Sequence, residues 1–240
     1  MSCIALETQR PDLMLVPFFF LTGMWGGPSV LAESPRHEGL LQASASGFTQ
    51  YAYAFVQQDA EEMEETDLAT SEEMKTRARR LYLRARNYGL RGLEIKHRGF
   101  EKALRADPKQ AVAALRKKEV ALVYWTAVSW AGAISLSKDN PDLIADLPIV
   151  EAMMDRALVL DEAFGDGAIH SFLITYEMSR PGGTGDPEVR SKQHFDRAME
   201  LSNGQLAGPL VSYAEAVCVQ QQDLKGFEIL LQRAIAVNPD

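Results

Sequence analysis

Apolar side chains recur every three or four residues from about residue 44 to the end of the chain, which predicts helices almost throughout. An early example is the set Phe48, Tyr51, Phe55 and Met63, whose spacing places the four side chains on one face of a helix. No stretch has the strict alternation of apolar and polar residues that is typical of strands. The pattern therefore predicts an all-α fold.

A second pattern is a repeated helix ending, in which a basic residue, Ala and an apolar residue precede a short polar break. The four copies span residues 102–108, 156–161, 197–202 and 233–239. The last three begin at Arg156, Arg197 and Arg233, 41 and 36 residues apart. This spacing is close to the ~34-residue period of tetratricopeptide hairpins. We expect hairpins that pair Ala168–Met178 with Pro187–Leu201 and Ala207–Val219 with Leu224–Val237.

One predicted helix, Glu119–Ser135, differs from the others because it carries no charge from Val120 to Ser137. A helix that is apolar on every side is buried in a protein core. Its aromatic residues are Tyr124, Trp125 and Trp130. The predicted architecture is a set of tetratricopeptide-like helical hairpins packed around this buried aromatic helix.

Charge also changes sign along the chain. The segment from Asp59 to Asp67 is acidic, and the helix that follows it, which we expect to be capped by Thr70 and Glu73, is rich in arginine. This order suggests an antiparallel helix pair with complementary charged faces, although such surface ion pairs are each worth under ~1 kcal/mol. The alternative, which is the more usual one, is that the charge run is simply a solvated face.

The N-terminus has the features of an export signal. Residues 13–25 form an apolar run, too short to span a bilayer, and Val30-Leu31-Ala32 offers small residues before a cleavage site at Glu33. We therefore predict a signal peptide at residues 1–32 and one helical-repeat domain at residues 33–240. The alternatives are an N-terminal extension or a misplaced start codon. No capping helix follows Asn238-Pro239-Asp240, so we expect either a truncated C-terminus or another surface that covers this face.

Composition and motifs limit the kinds of binding or catalytic site that the chain can be expected to hold. The net charge of −8 argues against nucleic-acid binding, and two cysteines with four scattered histidines offer no metal-ligand motif, so no cofactor is expected. Residues 182–185 lack the lysine of a phosphate-binding loop and are interpreted as a flexible connector. His170 and Glu177 share a helix face, which leaves an acid–base pair as a minor alternative, and we expect no enzyme.

The aromatic helix suggests an apolar groove with a few polar groups beside it. The candidate ligand-binding residues are Tyr124, Trp125, Ser129, Trp130, Lys138 and His170. The competing interpretation, that the helix is simply packed core, stays open.

Several segments resemble, in order, the T component of TRAP transporters. They are residues 124–139, 164–168, 180–183, 194–202, 207–215 and 227–231. The resemblance implies a periplasmic, all-helical protein that forms a homotrimer, binds the periplasmic solute-binding subunit of its transporter, and encloses a cleft or pore for an apolar or lipid-like solute. Two features depart from the family: the lipid-accepting cysteine is missing, and the family continues for another helix. The alternative function is an envelope scaffold for protein–protein interaction that holds no ligand.

Overall fold

The computed structural model describes residues 30–237, and within that range the chain forms helices and no strands. The predicted all-α class is confirmed. The α-helices are α1 Val30–Glu33, α2 Glu38–Ala52, α3 Gln58–Met63, α4 Leu68–Glu94, α5 Phe100–Ala106, α6 Pro108–Ala113, α7 Val120–Ser135, α8 Pro141–Ile144, α9 Leu147–Leu160, α10 Ala168–Ser179, α11 Pro187–Leu201, α12 Gly208–Tyr213, α13 Val219–Gln221 and α14 Leu224–Ile235. Short π-helical segments, Tyr53–Gln57 and Ala214–Cys218, join α2 to α3 and α12 to α13.

The chain divides into two compact units, and the boundary lies between Asp161 and Glu162. The first unit is described over residues 30–161 and the second over residues 162–237. The single-domain organisation and the tetratricopeptide-like detail stay predictions. The apolar run at residues 13–25 and the terminal residues 238–240 lie outside the described residues.

In the first unit α2 and α4 form an antiparallel pair. Lys96, just after α4, pairs with Glu38 in the first turn of α2, and at the other end of α4 Ser71 donates a hydrogen bond to the carbonyl of Ala60 in α3 (2.7 Å). The N-cap of α4 is Asp67, whose carboxylate accepts from the backbone N–H of Thr70 at 3.1 Å. The helix therefore begins earlier than predicted, because Asp67 and not Thr70 supplies the capping side chain.

Helix α7 lies antiparallel on another side of α4, and glycines allow the two helices to approach closely. A Cβ atom at Gly89 would lie 2.0 Å from Thr126 Oγ1, and one at Gly92 would lie 2.7 Å from Leu122 Cδ2. From α7, Gly132 provides the same space for the ring of Tyr82. Most of α7 is buried as a result, as its uniformly apolar sequence predicts.

Helix α9 completes the packing around α7. Pro148 stands in the first turn of α9, where its missing backbone N–H costs no helical hydrogen bond. Near the other end of α9, Arg156 donates to the backbone carbonyls of Ala113 and Leu115 at 3.0 and 2.6 Å. Ala113 is the last residue of α6 and Leu115 lies just beyond it, so the arginine ties the end of α6 to α9.

The second unit begins with an antiparallel hairpin of α10 and α11, with bounds within one residue of those predicted. Ser191 Oγ donates to the carbonyl of Ile174 at 2.8 Å across the hairpin. Helices α12 to α14 pack onto it through an apolar cluster that includes Phe195, Leu210 and Leu230. The predicted single helix over residues 207–219 is instead interrupted by the second π segment.

Substituting Gly89→Ala should destabilise the protein. Alanine favours a helix by about 1 kcal/mol over glycine, but the added methyl group would overlap Thr126, and overpacking of this kind costs about 1–3 kcal/mol. We expect a net loss of about 1 kcal/mol in the free energy of unfolding, measured by urea denaturation. The double variant Gly89→Ala/Thr126→Ala removes the overlapping oxygen and should recover part of the loss. A Gly89→Ala protein more stable than wild type would contradict the close approach.

Candidate functional site

Trp130 is the centre of the polar contacts around α7. Its side chain is 0% exposed, and its indole Nε1 donates to Asp146 Oδ2 at 3.1 Å. The other carboxylate oxygen of Asp146 accepts from Arg105 at 3.0 Å. A tryptophan whose N–H is satisfied in this way can be buried without the penalty of an unpaired donor.

Two arginines cover the faces of this indole. The guanidinium carbon of Arg86 lies 4.8 Å from the ring centroid of Trp130, and that of Arg105 lies 5.8 Å away. Burial lowers the pKa of Arg86, which remains a cation beside the ring. Because Trp130 has no exposed surface, a solute reaches it only if these neighbours move.

The other candidates on α7 are only slightly more accessible. The rings of Tyr124 and Trp125 meet edge to face at 5.1 Å, and their side chains are 5% and 9% exposed. Ser129 is fully buried and donates to the carbonyl of Thr126 at 2.9 Å. Lys138 is exposed in the turn after α7. Core packing accounts for most of the surface of this helix.

A shallow groove lies elsewhere in the first unit. It has a volume of ≈ 440 Å³ and runs along α5 and α6, where Phe100, Ala103 and Ala111 form part of its wall. Its lining includes none of the residues named as ligand-binding candidates.

The sixth candidate, His170, lies on α10 in the second unit and is 5% exposed. Its Nδ1 lies 2.8 Å from Nδ1 of His194 on α11, and its Nε2 lies 3.2 Å from Glu162 Oε1. The carboxylate requires a proton on Nε2 of His170. In the neutral pair His170 Nδ1 therefore accepts from the Nδ1–H of His194.

Two further charges fix the electrostatics of this histidine pair. Arg197 donates to both carboxylate oxygens of Glu162, at 2.7 and 2.8 Å, and this lowers the pKa of Glu162 to about 2. Burial lowers the pKa of His194 to about 4, and the neighbouring His170 acts in the same direction. Burial also lowers the pKa of His170. Both rings cannot be protonated at once, because two N–H groups would then face each other at 2.8 Å.

Glu177 pairs with arginines and not with His170, the partner that its spacing along the helix suggested. It is 2% exposed and accepts from Arg180 at 2.7 Å and from Arg190 at 2.5 Å. The acid–base alternative that paired it with His170 is wrong, because α11 supplies nearer partners to both. His194 and Arg190 carry no local motif, and only the hairpin prediction indicated that α11 faces α10.

Arg190 also holds the connector between α10 and α11 in its conformation. Arg190 donates to the carbonyls of Thr184 and Gly185 at 2.7 and 3.0 Å. A Cβ atom at Gly183 would lie 2.4 Å from its guanidinium nitrogen. The segment is a helix connector, as predicted, but Arg190 holds it in place.

Within residues 30–237, no three His, Cys, Asp or Glu side chains are grouped to hold a metal ion. At the histidine pair the reason is geometric. His170 directs one nitrogen at each neighbour, so the donors of His170, His194 and Glu162 do not converge on one point.

These helices and their contacts define a class of protein: an all-helical protein of packed antiparallel helices, with polar networks that join helices to one another. No helix of the described range has the length and apolar character needed to cross a membrane. The chain belongs to the family described as TRAP transporter T-component, whose model matches residues 10–240. It is also 26% identical over 237 residues to an uncharacterized protein of Treponema pallidum (strain Nichols), covering 97% of this chain and 73% of that one. This family is an accessory component of a transport system, not an enzyme family.

The histidine pair should make stability depend on pH. The unfolded chain takes up protons near the ordinary histidine pKa of 6.5, whereas folded His194 does so only near 4. The stability that neutral His194 contributes is therefore complete above about pH 6.5 and is lost as the pH falls towards 4, with about 2 kcal/mol of the loss between pH 7 and 5. We expect His194→Asn to flatten this dependence in urea denaturation between pH 7 and 5. The matched control is His37→Asn, since His37 is exposed and Asn retains its N-cap role. A wild-type curve that is flat over this window would contradict the prediction.

Proposed function

We propose that this chain is an accessory protein that binds the periplasmic solute-binding subunit of its TRAP transporter and acts there as a homotrimer. The observation that carries the proposal is the family match over residues 10–240. Export to the periplasm through residues 1–32 is part of the same proposal, because the solute receptor of such a system works outside the cytoplasmic membrane.

The organisation of the two units supports a binding role over a catalytic one. The buried polar groups of the first unit are used in helix packing, as Asp146 with Trp130 illustrates. Those of the second unit join α10 to α11, as His170 does with His194. Helical hairpins joined in this way present rigid outer faces, which suits the docking of another protein.

The proposal predicts a specific complex with the receptor. The purified chain should bind the solute receptor encoded with the same transporter in size-exclusion chromatography with multi-angle light scattering, and the free chain should have the mass of a trimer. The matched control is a TRAP solute receptor from an unrelated transporter, which should not bind. If the chain bound neither receptor but recruited other envelope proteins, a scaffold would replace the accessory role.

We further propose that an apolar or lipid-like solute binds along α7. Among the six candidates, Trp130 and Ser129 are fully buried, while Tyr124 and Trp125 retain a small exposed edge. Lys138 is exposed at the end of the same helix and offers a charge for a polar head. His170 lies in the second unit, and no role in binding along α7 is proposed for it. The edge of Trp125 is therefore the proposed point of entry, and Trp130 supports it from within the core.

Replacing Trp125 should weaken retention of such a solute. Native mass spectrometry of the purified protein before and after delipidation should show a bound apolar molecule, and Trp125→Leu should lower its occupancy about tenfold, because ~1.4 kcal/mol of aromatic contact is removed. Phe172→Leu, a half-buried aromatic change in the second unit, is the matched control and should keep the solute. Retention of the solute by Trp125→Leu, or its absence from the wild type, would remove α7 from the proposal.

A further inference from the structure

The exposed face of α4 carries a row of arginines. Positions 77, 80, 84, 87 and 91 are all exposed and follow one another at intervals of three and four residues, so they lie on one side of the helix. Four of the five are arginine, namely Arg77, Arg80, Arg84 and Arg91, and the other is Asn87. We call them the arginine row.

A line of aromatic rings lies beside the arginine row. Helix α2 and the first π segment contribute Phe48, Tyr51 and Phe55, and α4 contributes Tyr88. Phe55 is 64% exposed and Tyr51 is 42% exposed, values that are high for aromatic side chains. Their rings stack on each other with centroids 5.6 Å apart.

Arginines and rings hold one another in place. Arg84 lies 4.6 Å from the ring centroid of Phe48, and its Nε donates to the hydroxyl of Tyr88 at 3.2 Å. Phe48 and Tyr88 stack at 5.6 Å, and Arg91 lies 5.6 Å from the Tyr88 ring. At the other end Arg77 donates to the Tyr51 hydroxyl at 3.2 Å. The surface is therefore ordered before any partner arrives, which lowers the entropy lost on binding.

The charges of the arginine row are not neutralised within the described residues. None of its four guanidinium groups forms an ion pair there, although basic residues near both ends of α4 do: Lys75 pairs with Glu64 at 3.1 Å and Lys96 with Glu38. The expectation of complementary charged faces on the helix pair is wrong over this stretch, because Arg84 and Arg91 lie over aromatic rings and Arg77 donates to a tyrosine hydroxyl instead of a carboxylate. Four unneutralised cations thus stand together in a chain whose net charge is −8.

We propose that the arginine row and its aromatic neighbours dock an acidic surface of the solute receptor. This inference rests on the proposed function and assigns the surface that would perform it. Each guanidinium group has five N–H donors, and Arg77, Arg84 and Arg91 each donate one hydrogen bond: to Tyr51, to Tyr88 and to the carbonyl of Pro35. The remaining N–H groups can bind carboxylates, which guanidinium groups also bind in a bidentate manner. Tyrosine and arginine are also the residues enriched at the energetic centres of protein interfaces. Charge complementarity therefore selects an acidic protein surface as the occupant.

An anionic membrane fits this face less well. Exposed carboxylates, Glu72 and Glu73, lie one to two turns before Arg77 on the same helix, and a flat anionic surface would meet both kinds of charge. The two tyrosine hydroxyls are engaged with arginines, so the rings are held against the protein. A protein partner of limited extent can present carboxylates to the arginines alone.

The test is charge reversal with a matched control. The variant Arg77→Glu/Arg84→Glu/Arg91→Glu should weaken binding of the purified receptor by about 100-fold in isothermal titration calorimetry, equivalent to ~2.7 kcal/mol. The control Lys102→Glu/Lys109→Glu/Lys118→Glu makes the same charge change at exposed sites of the first unit and should bind as the wild type does. Wild-type affinity should also fall as salt is raised.

A second variant guards against effects on folding. Arg80→Glu/Phe55→Ser alters one arginine that has no contact with the rings and one largely exposed ring, so its thermal unfolding should match the wild type while its receptor affinity falls about tenfold. Wild-type affinity in both this variant and the triple reversal would overturn the docking surface and leave the proposed function intact. No binding by the wild type would overturn both. Loss of binding to vesicles of equal phosphatidylcholine and phosphatidylglycerol in the triple reversal, with receptor affinity unchanged, would assign the face to a membrane instead.

Discussion

The close approach of α4 and α7 is the constraint on which the first unit depends. It requires glycine at positions 89 and 92, where Thr126 and Leu122 fill the space that a side chain would take. The approach buries a helix that has no polar side of its own. It also fixes which face of α4 is turned to solvent, so the same packing that hides α7 presents the arginines and rings on the outside.

The helical pattern was predictable because it rests on local spacing. The hairpin of α10 and α11 lies within one residue of its predicted bounds, since proline and aspartate mark its ends. The pairing of polar groups was not predictable in the same way. Spacing on a single helix joined His170 to Glu177, whereas the fold brings His194 and Arg190 from α11 to meet them.

The candidate ligand-binding residues on α7 were also only partly predictable from the sequence. The sequence correctly indicated that the helix of Tyr124, Trp125 and Trp130 is buried. It did not distinguish a ring that lines a cleft from one that is packed, because both require apolar neighbours. Asp146, which accepts from Trp130 Nε1 and so allows that ring to be buried, lies 16 residues further along the chain, where no local pattern marks it as a partner. The arginines of the arginine row can be read from the sequence. Their contacts with the rings of α2 could not be predicted, because they depend on how α2 and α4 pair.

Arg190 has a consequence for how this chain tolerates change. It donates two hydrogen bonds to Glu177 and two to carbonyls of the connector, so a side chain in the next helix holds the path of residues 180–186. The connector's own side chains act at its two ends, where Arg180 pairs with Glu177 and Asp186 accepts from the N–H of Glu188. In between, Arg190 bonds the backbone of Thr184 and not its side chain, so position 184 should tolerate substitution, whereas a side chain at position 183 would meet the Arg190 guanidinium. A lysine at position 190 would keep the positive charge but could not make all the hydrogen bonds by which the guanidinium group holds the connector.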